Sequence, residues 1–137
     1  MKLEHAFASL DRQMNKLWRT MDLPKEIGQL SWNEYDYLKS IQHLGNPRLS
    51  EVAKDLAVQK PSASNMITRL ESKGFVRRSP CPTDGRATRV SLTEKGEKLM
   101  SYDEMFYSSL ASTIRNKLSD VEALELERLL SQVVNRS

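Results

Sequence analysis

Lys60-Pro61-Ser62-Ala63-Ser64-Asn65-Met66-Ile67-Thr68-Arg69-Leu70-Glu71-Ser72-Lys73-Gly74-Phe75-Val76 is the stretch on which the fold turns. Ala63, Met66, Ile67 and Leu70 recur at three- and four-residue steps, the spacing of one buried helical face. Pro61 fits the opening turn, where a missing amide hydrogen costs nothing because the first helical amides have no internal partner. Gly74 is expected to stop the helix. Just upstream, Leu49, Val52, Ala53 and Leu56 form the buried side of a shorter helix, and only Ala57-Val58-Gln59-Lys60 separates the two. Two short helices joined by so few residues make a helix-turn-helix.

Downstream, Phe75-Val76-Arg77-Arg78 and Arg89-Val90-Ser91-Leu92 are short runs rich in β-branched or aromatic residues. They flank Ser79 to Thr88, a segment with two prolines and the turn signal Asp84-Gly85. This predicts a β-hairpin with a basic tip.

Upstream of the pair, Leu3, Phe7, Leu10, Met14, Leu17 and Met21 draw one apolar stripe of an N-terminal helix, ended by Asp22-Leu23-Pro24. A loop to about Leu30 is expected. Ser31-Trp32-Asn33-Glu34 has the form of a capping box, opening a helix whose apolar face is Trp32, Tyr35, Leu38 and Ile41 and which stops at Gly45-Asn46-Pro47. Beyond the hairpin, Thr93 caps a long helix to about Lys117, and Ser119-Asp120-Val121-Glu122 opens a last one carrying Leu124, Leu126, Leu129, Leu130 and Val133.

The chain has 137 residues, 39% of them hydrophobic and 28% charged, which suits one helix-rich globular domain. No apolar run reaches the length of a membrane span, and apolar and charged residues alternate near the N-terminus, so neither a span nor a signal peptide is expected and the cytoplasm is the expected compartment. One cysteine, Cys81, and two histidines, His5 and His43, offer no disulfide framework and no zinc ligand set. No cofactor or metal is expected. Without a glycine-rich phosphate loop or a nucleophile elbow, an enzyme is not expected either.

Net charge is +3, but its distribution says more than its total. Residues 1–44 balance at six of each sign, residues 93–137 carry six basic and eight acidic, and residues 45–92 carry nine basic and four acidic. Positive charge concentrated on the helix-turn-helix and hairpin is the footprint of a surface that meets a polyanion. The major groove of B-DNA admits one helix, whose N-terminal side chains then face base edges. Ser62, Ser64 and Asn65 lie opposite the apolar face, and Lys60 and Arg69 lie where phosphates would pass. Asn65 can pair with adenine at two points. The two serines also have a local reading, hydrogen bonding to free amides at the helix start. At the hairpin tip, Arg86 suits the narrow minor groove, with Asp84 expected to orient it through a forked pair or to act in ordinary turn chemistry. Arg77, Arg78 and Arg89 are expected at phosphates or in solvent.

This order of elements, with Asp84-Gly85-Arg86 followed by Arg89-Val90-Ser91-Leu92-Thr93 and a long helix, and Lys60-Pro61-Ser62 before Leu70-Glu71-Ser72-Lys73-Gly74-Phe75-Val76, resembles the MarR family of winged helix-turn-helix transcriptional regulators. The resemblance covers nearly the whole chain. It implies a mainly α fold, a three-helix core with a two-stranded wing flanked by N- and C-terminal dimerisation helices. The DNA-binding lobe would span residues 31–93, with residues 1–30 and 94–137 forming the dimer within a single domain. It further implies a homodimer on a pseudo-palindromic operator of double-stranded DNA, usually repressing nearby genes until a small molecule or oxidant releases it. The DNA contacts carried over are Lys60, Pro61, Ser62, Ser64, Asn65, Arg69, Asp84, Arg86 and Arg89.

A two-fold operator needs recognition helices about 34 Å apart, so the apolar stripes of the first and last helices are expected to fix that distance. The resemblance also implies an effector cavity, and Trp18, Met21, Trp32, Tyr35, Tyr102, Met105 and Phe106 are its expected lining for a small aromatic or amphipathic molecule; an apolar core is the other reading of that set. Two departures from the family pattern stand out: Ala57 where Gly is frequent, and Gln59 where a Ser or Thr cap is common, the latter costing on the order of 1 kcal/mol. Cys81, expected at the wing surface, leaves open redox sensing as an alternative to a small-molecule effector. A winged helix that serves as an architectural or protein-interaction module is a further alternative.

Overall fold

The computed structural model describes residues 1–135. Its helices are α1 (Leu3–Thr20), α2 (Lys25–Gly28), α3 (Trp32–Leu44), α4 (Leu49–Asp55), α5 (Lys60–Ser72), α6 (Glu94–Arg115) and α7 (Asp120–Asn135), with strands β1 (Val76–Pro80) and β2 (Thr88–Leu92) between α5 and α6. The fold is mainly α with a two-stranded antiparallel sheet, as expected. The chain divides into two compact units, Leu23–Asp103 and a second made of Met1–Asp22 with the chain from Glu104 onward. Residues 23–30 and 94–103 therefore group with the expected DNA-binding lobe.

The central unit is built around Leu38, Ile41, Val52, Ile67, Leu70, Val76, Val90 and Met100, each almost fully buried. These come from α3, α4, α5, both strands and the start of α6, so one core unites helix-turn-helix and hairpin. The α3 cap forms as a reciprocal box: the Glu34 amide donates to Ser31 Oγ and the Ser31 amide donates to Glu34 Oε1, both at 3.1 Å. Two expectations fail here. The segment before Ser31 contains the short helix α2, where Pro24 supplies a preset φ at the N-cap and the Ile27 amide donates to its carbonyl. Trp32, placed on the apolar face by spacing, is 82% exposed, and Tyr37 is buried instead. Trp32 is the first residue of the helix, so no preceding turn extends the buried face to it.

Three positive-φ positions steer the chain around α4. Gly45 at φ +69 and Asn46 at φ +48 end α3, and Ala57 at φ +54 turns the chain toward α5. An alanine in this region costs on the order of 1 kcal/mol relative to glycine, and the bend is held by Val58, whose amide donates to the Ala53 carbonyl at 2.9 Å. Gly74 at φ +84 closes α5, as expected. At the root of α6, Thr93 caps the helix through the Gly96 amide and donates its hydroxyl to the Gly74 carbonyl at 2.6 Å. Gly96 itself is buried against the Phe75 carbonyl, which a β-carbon would approach to 2.2 Å.

In the other unit, α1 and α7 contain no buried residue among those described, although both are amphipathic. Leu3, Phe7, Val121, Leu124, Leu129, Leu130 and Val133 are exposed. Trp18 packs edge-on against Phe106 with ring centroids 5.2 Å apart. Ser119 and Glu122 form the expected capping box of α7. No helix among the described residues is long and apolar enough to cross a membrane.

Candidate nucleic-acid interface

Helix α5 buries Ala63, Met66, Ile67 and Leu70, which leaves Lys60, Pro61, Ser62, Asn65 and Arg69 exposed on its other sides. The periodicity of the sequence decides this partition, because residues three and four apart share a face. Gln59 makes no side-chain cap, so the first amides of α5 are left to solvent or ligand. Ser64 is half-buried on the side that meets β1.

β1 and β2 pair antiparallel with Val76 opposite Leu92, Arg78 opposite Val90 and Pro80 opposite Thr88. The ladder continues past Pro80, as the Cys81 amide donates to the Ala87 carbonyl at 2.9 Å. Arg48 forms a bridge with Arg89, and the Val90 amide donates to the Pro47 carbonyl, which fastens the wing to the segment between α3 and α4. At the tip, the Arg86 and Ala87 amides donate to the side-chain and backbone oxygens of Asp84, both at 3.0 Å.

The expected forked pair between Asp84 and the Arg86 guanidinium is thus replaced by turn chemistry. An Asp closes a turn on the amide two residues on, which spends the carboxylate on backbone and leaves the Arg86 side chain exposed. Arg86, Arg48 and Lys60 line a cleft of about 70 Å³ with Ser50 and Thr88, between the wing and the starts of α4 and α5. Three cations around one small cleft favour an anion there. Arg48 was absent from the expected contacts. Its place just before Leu49, with Glu51 three residues on to accept the Arg48 amide at 2.9 Å, is the signal that puts it at a helix start facing the wing.

Two other arginines make hydrogen bonds to the protein itself. Arg78 Nη2 donates to the Ser64 carbonyl at 2.7 Å and to Ser64 Oγ at 3.1 Å. Arg89 Nη1 donates to the Asn46 carbonyl at 2.7 Å. Arg78 shares the buried face of the sheet with Val90 opposite it, whereas Arg89 lies on the other face and is held over Asn46 by the pairing with Arg48. Arg77 remains exposed.

Cys81 is buried at 3% exposure, which corrects its expected place at the surface. The backbone ladder continues through Cys81, and its Sγ lies 3.4 Å from Thr83 Oγ1. Hydrogen bonds from the Thr83 hydroxyl and amide, aided by Asp84's amide and Arg89 and opposed by burial, draw the thiol down to about 6.

Of the residues expected around an effector, Trp18, Met21, Met105 and Phe106 lie in the unit of α1, and Trp32, Tyr35 and Tyr102 lie in the central unit. Trp18 and Phe106 touch. Tyr35 is buried and its hydroxyl donates to Asp103 Oδ1 at 3.1 Å, whereas Trp32 and Met105 are exposed. Two clefts open within the units. One of about 370 Å³ is lined by Arg12, Asn15, Lys16, Trp18 and Arg19. The other, about 260 Å³, is floored by Leu30 and Phe75 and rimmed by Lys73 and Lys95.

Lys73 and Lys95 also hold the end of α5. Lys73 Nζ lies 2.6 Å from Glu34 Oε2, and Lys95 Nζ donates to the Lys73 carbonyl at 3.0 Å while sitting 4.6 Å above the Phe75 ring. Burial of Glu34 works against its charge, but hydrogen bonds from Lys73 and Ser31 outweigh it and hold the carboxyl below its ordinary range.

Residues 30–88 match the sequence model of the MarR family. The whole chain is similar to solved structures. A MarR-like transcriptional regulator from Thermotoga maritima is 24% identical, covers 99% of this chain and 96% of its own, and superposes with a TM-score of 0.78. A mutant of MarR from E. coli is 25% identical over 98% of this chain and 97% of its own, with a TM-score of 0.63. The PcaV transcriptional regulator from Streptomyces coelicolor, solved with its natural ligand, is 18% identical over 98% and 93%, with a TM-score of 0.62. Residues 30–88 are thus similar to the MarR family, and the chain along its length shares the winged-helix fold of solved MarR-like transcriptional regulators.

Proposed function

We propose that the protein is a homodimeric, sequence-specific double-stranded DNA-binding regulator of transcription that represses nearby genes until a small aromatic or amphipathic molecule releases it. In each subunit α5 enters the major groove, with Ser62, Ser64 and Asn65 toward base edges and Lys60 and Arg69 at the backbone, while Arg86 reaches the adjacent minor groove. The observation that carries this reading is the cleft where the tip arginine, Lys60 and Arg48 converge beside the exposed polar face of α5. Dimerisation is supported by the amphipathic helices α1 and α7, whose apolar residues are left uncovered in one chain. A ligand-bound relative of the same fold supports release by an effector.

Selection of bound DNA from a random duplex pool tests this. A pseudo-palindrome bound by two chains is the expected result. A monomer that prefers no sequence at low ionic strength refutes it.

The low thiol pKa of Cys81 favours a second reading, in which oxidation of the wing releases DNA. Burial limits access to that thiol. Operator affinity that survives peroxide, with Cys81→Ser as the control, eliminates this route.

A further inference from the structure

Of the four hydroxyl residues of α5, Ser64 uses its oxygen differently from Thr68 and Ser72. Thr68 donates its hydroxyl proton to the Ser64 carbonyl, and Ser72 donates to the Thr68 carbonyl, each at 3.0 Å and one turn back. Those protons are spent within the helix. Ser64 Oγ instead receives an N–H from Arg78, whose same nitrogen also donates to the Ser64 carbonyl. The Arg78 amide donates to Glu71 Oε2 at 3.2 Å, so β1 is tied to α5 both at Ser64 and two turns on. Arg78 Nε is sealed from solvent with no hydrogen-bond partner among the described residues, a cost accepted only by a side chain held inside the protein. A phosphate contact would require that guanidinium to leave its seat.

A guanidinium has donors and no acceptor, whereas a hydroxyl has one proton and two lone pairs. An Oγ that accepts from Arg78 therefore keeps its own proton to give, and the partner of that proton must be an acceptor. We propose that Arg78 is a positioning residue for base reading, which fixes the Ser64 hydroxyl as a donor toward a base-edge acceptor in the major groove: guanine O6 or N7, adenine N7 or thymine O4. It reads no base itself. This rests on the placement of α5 in the major groove. It adds to that reading a direction for the Ser64 proton and a role for a wing-strand arginine away from the backbone.

The test has two arms on the full-length protein. In DNA-free protein, NMR exchange of the arginine Nη hydrogens should show slow rotation at Arg78 and fast rotation at exposed Arg77, with Arg78 speeding up in Ser64→Ala. An Arg78 as mobile as Arg77 overturns the proposal whatever the DNA results. In the second arm, the selected duplex is varied one base pair at a time and titrated at two salt concentrations. Ser64→Ala and Arg78→Gln should flatten preference at the same base pair by roughly tenfold, with no further loss in the double variant. Arg78→Lys keeps the charge without the planar two-pronged donor, and should also flatten it with the salt slope unchanged. It carries this arm if Arg78→Gln does not fold. Uniform weakening on all sequences with a salt slope lower by about one would make Arg78 a phosphate contact and overturn the proposal. A wild type without sequence preference refutes the DNA-reading function, while the first arm still judges the seat of Arg78.

Discussion

Gly96→Ala sets two physical effects against each other at the root of α6. By helix propensity alone the substitution should stabilise by about 0.5–1 kcal/mol. The packing says otherwise. A β-carbon at Gly96 would lie 2.2 Å from the Phe75 carbonyl oxygen and 3.3 Å from Leu92 Cδ2. Relief requires backbone movement, because the crowded atom is a carbonyl and not the end of a flexible side chain. That carbonyl accepts the Thr93 amide at 3.0 Å, so moving it strains the link between β1 and the cap of α6. Losing the bond costs about 1 kcal/mol and overpacking about 1–3 kcal/mol, so the net loss after the propensity gain is about 1–3 kcal/mol. For a chain of this size that lowers the melting temperature by about 3–10 °C. Circular dichroism melts at one fixed protein concentration measure it. Gly28→Ala is the control, since nothing lies within 4 Å of its added carbon. A Gly96→Ala protein as stable as the wild type would refute the reasoning.

Glu34 has a lowered pKa in the folded protein, so its contribution to stability is present above the unfolded value near 4.5 and is lost as pH falls through the folded value. Glu34→Gln should lower the urea midpoint at neutral pH, and its difference from wild type should shrink in acid below that range. The thiolate ultraviolet absorbance of Cys81, with Cys81→Ser as the blank, should titrate with a midpoint near pH 6, the value to which Thr83 draws the thiol; a midpoint in the ordinary thiol range refutes that environment. Arg86→Ala should weaken operator binding by about 1–3 kcal/mol, and Asn65→Ala should relax sequence choice, both read by gel-shift titration. Removal of residues 120–137 should give a monomer with little operator affinity, and a truncated chain that sediments as a dimer contradicts the role given to α7.

Periodicity revealed the frame of the protein because burial depends on which residues share a face. The α5 stripe Ala63, Met66, Ile67 and Leu70 is buried as its spacing requires, and the Ser31 and Ser119 boxes form because each needs only residues three apart. Periodicity does not say where a face begins, and Trp32 shows it: the right residue type at the right interval, at a helix start the core does not reach. The arginines of the wing expose a deeper limit. In sequence Arg77, Arg78, Arg86 and Arg89 are four equivalent cations near a basic tip, and charge counting assigns them all to the same polyanion. The strands distinguish them by parity and by register. Parity turns Arg78 under the sheet toward Ser64 while Arg77 faces out, and the pairing that extends through Arg48 brings Arg89 over the Asn46 carbonyl. Arg86 alone of these lines the cleft that Lys60 and Arg48 share, although those residues are 26 and 38 positions away in the chain. A net charge of plus five on residues 45–92 is therefore two populations of arginine. Some face outward, where the proposed function places an anion, while Arg78 and Arg89 spend donors on the protein's own carbonyls at Ser64 and Asn46.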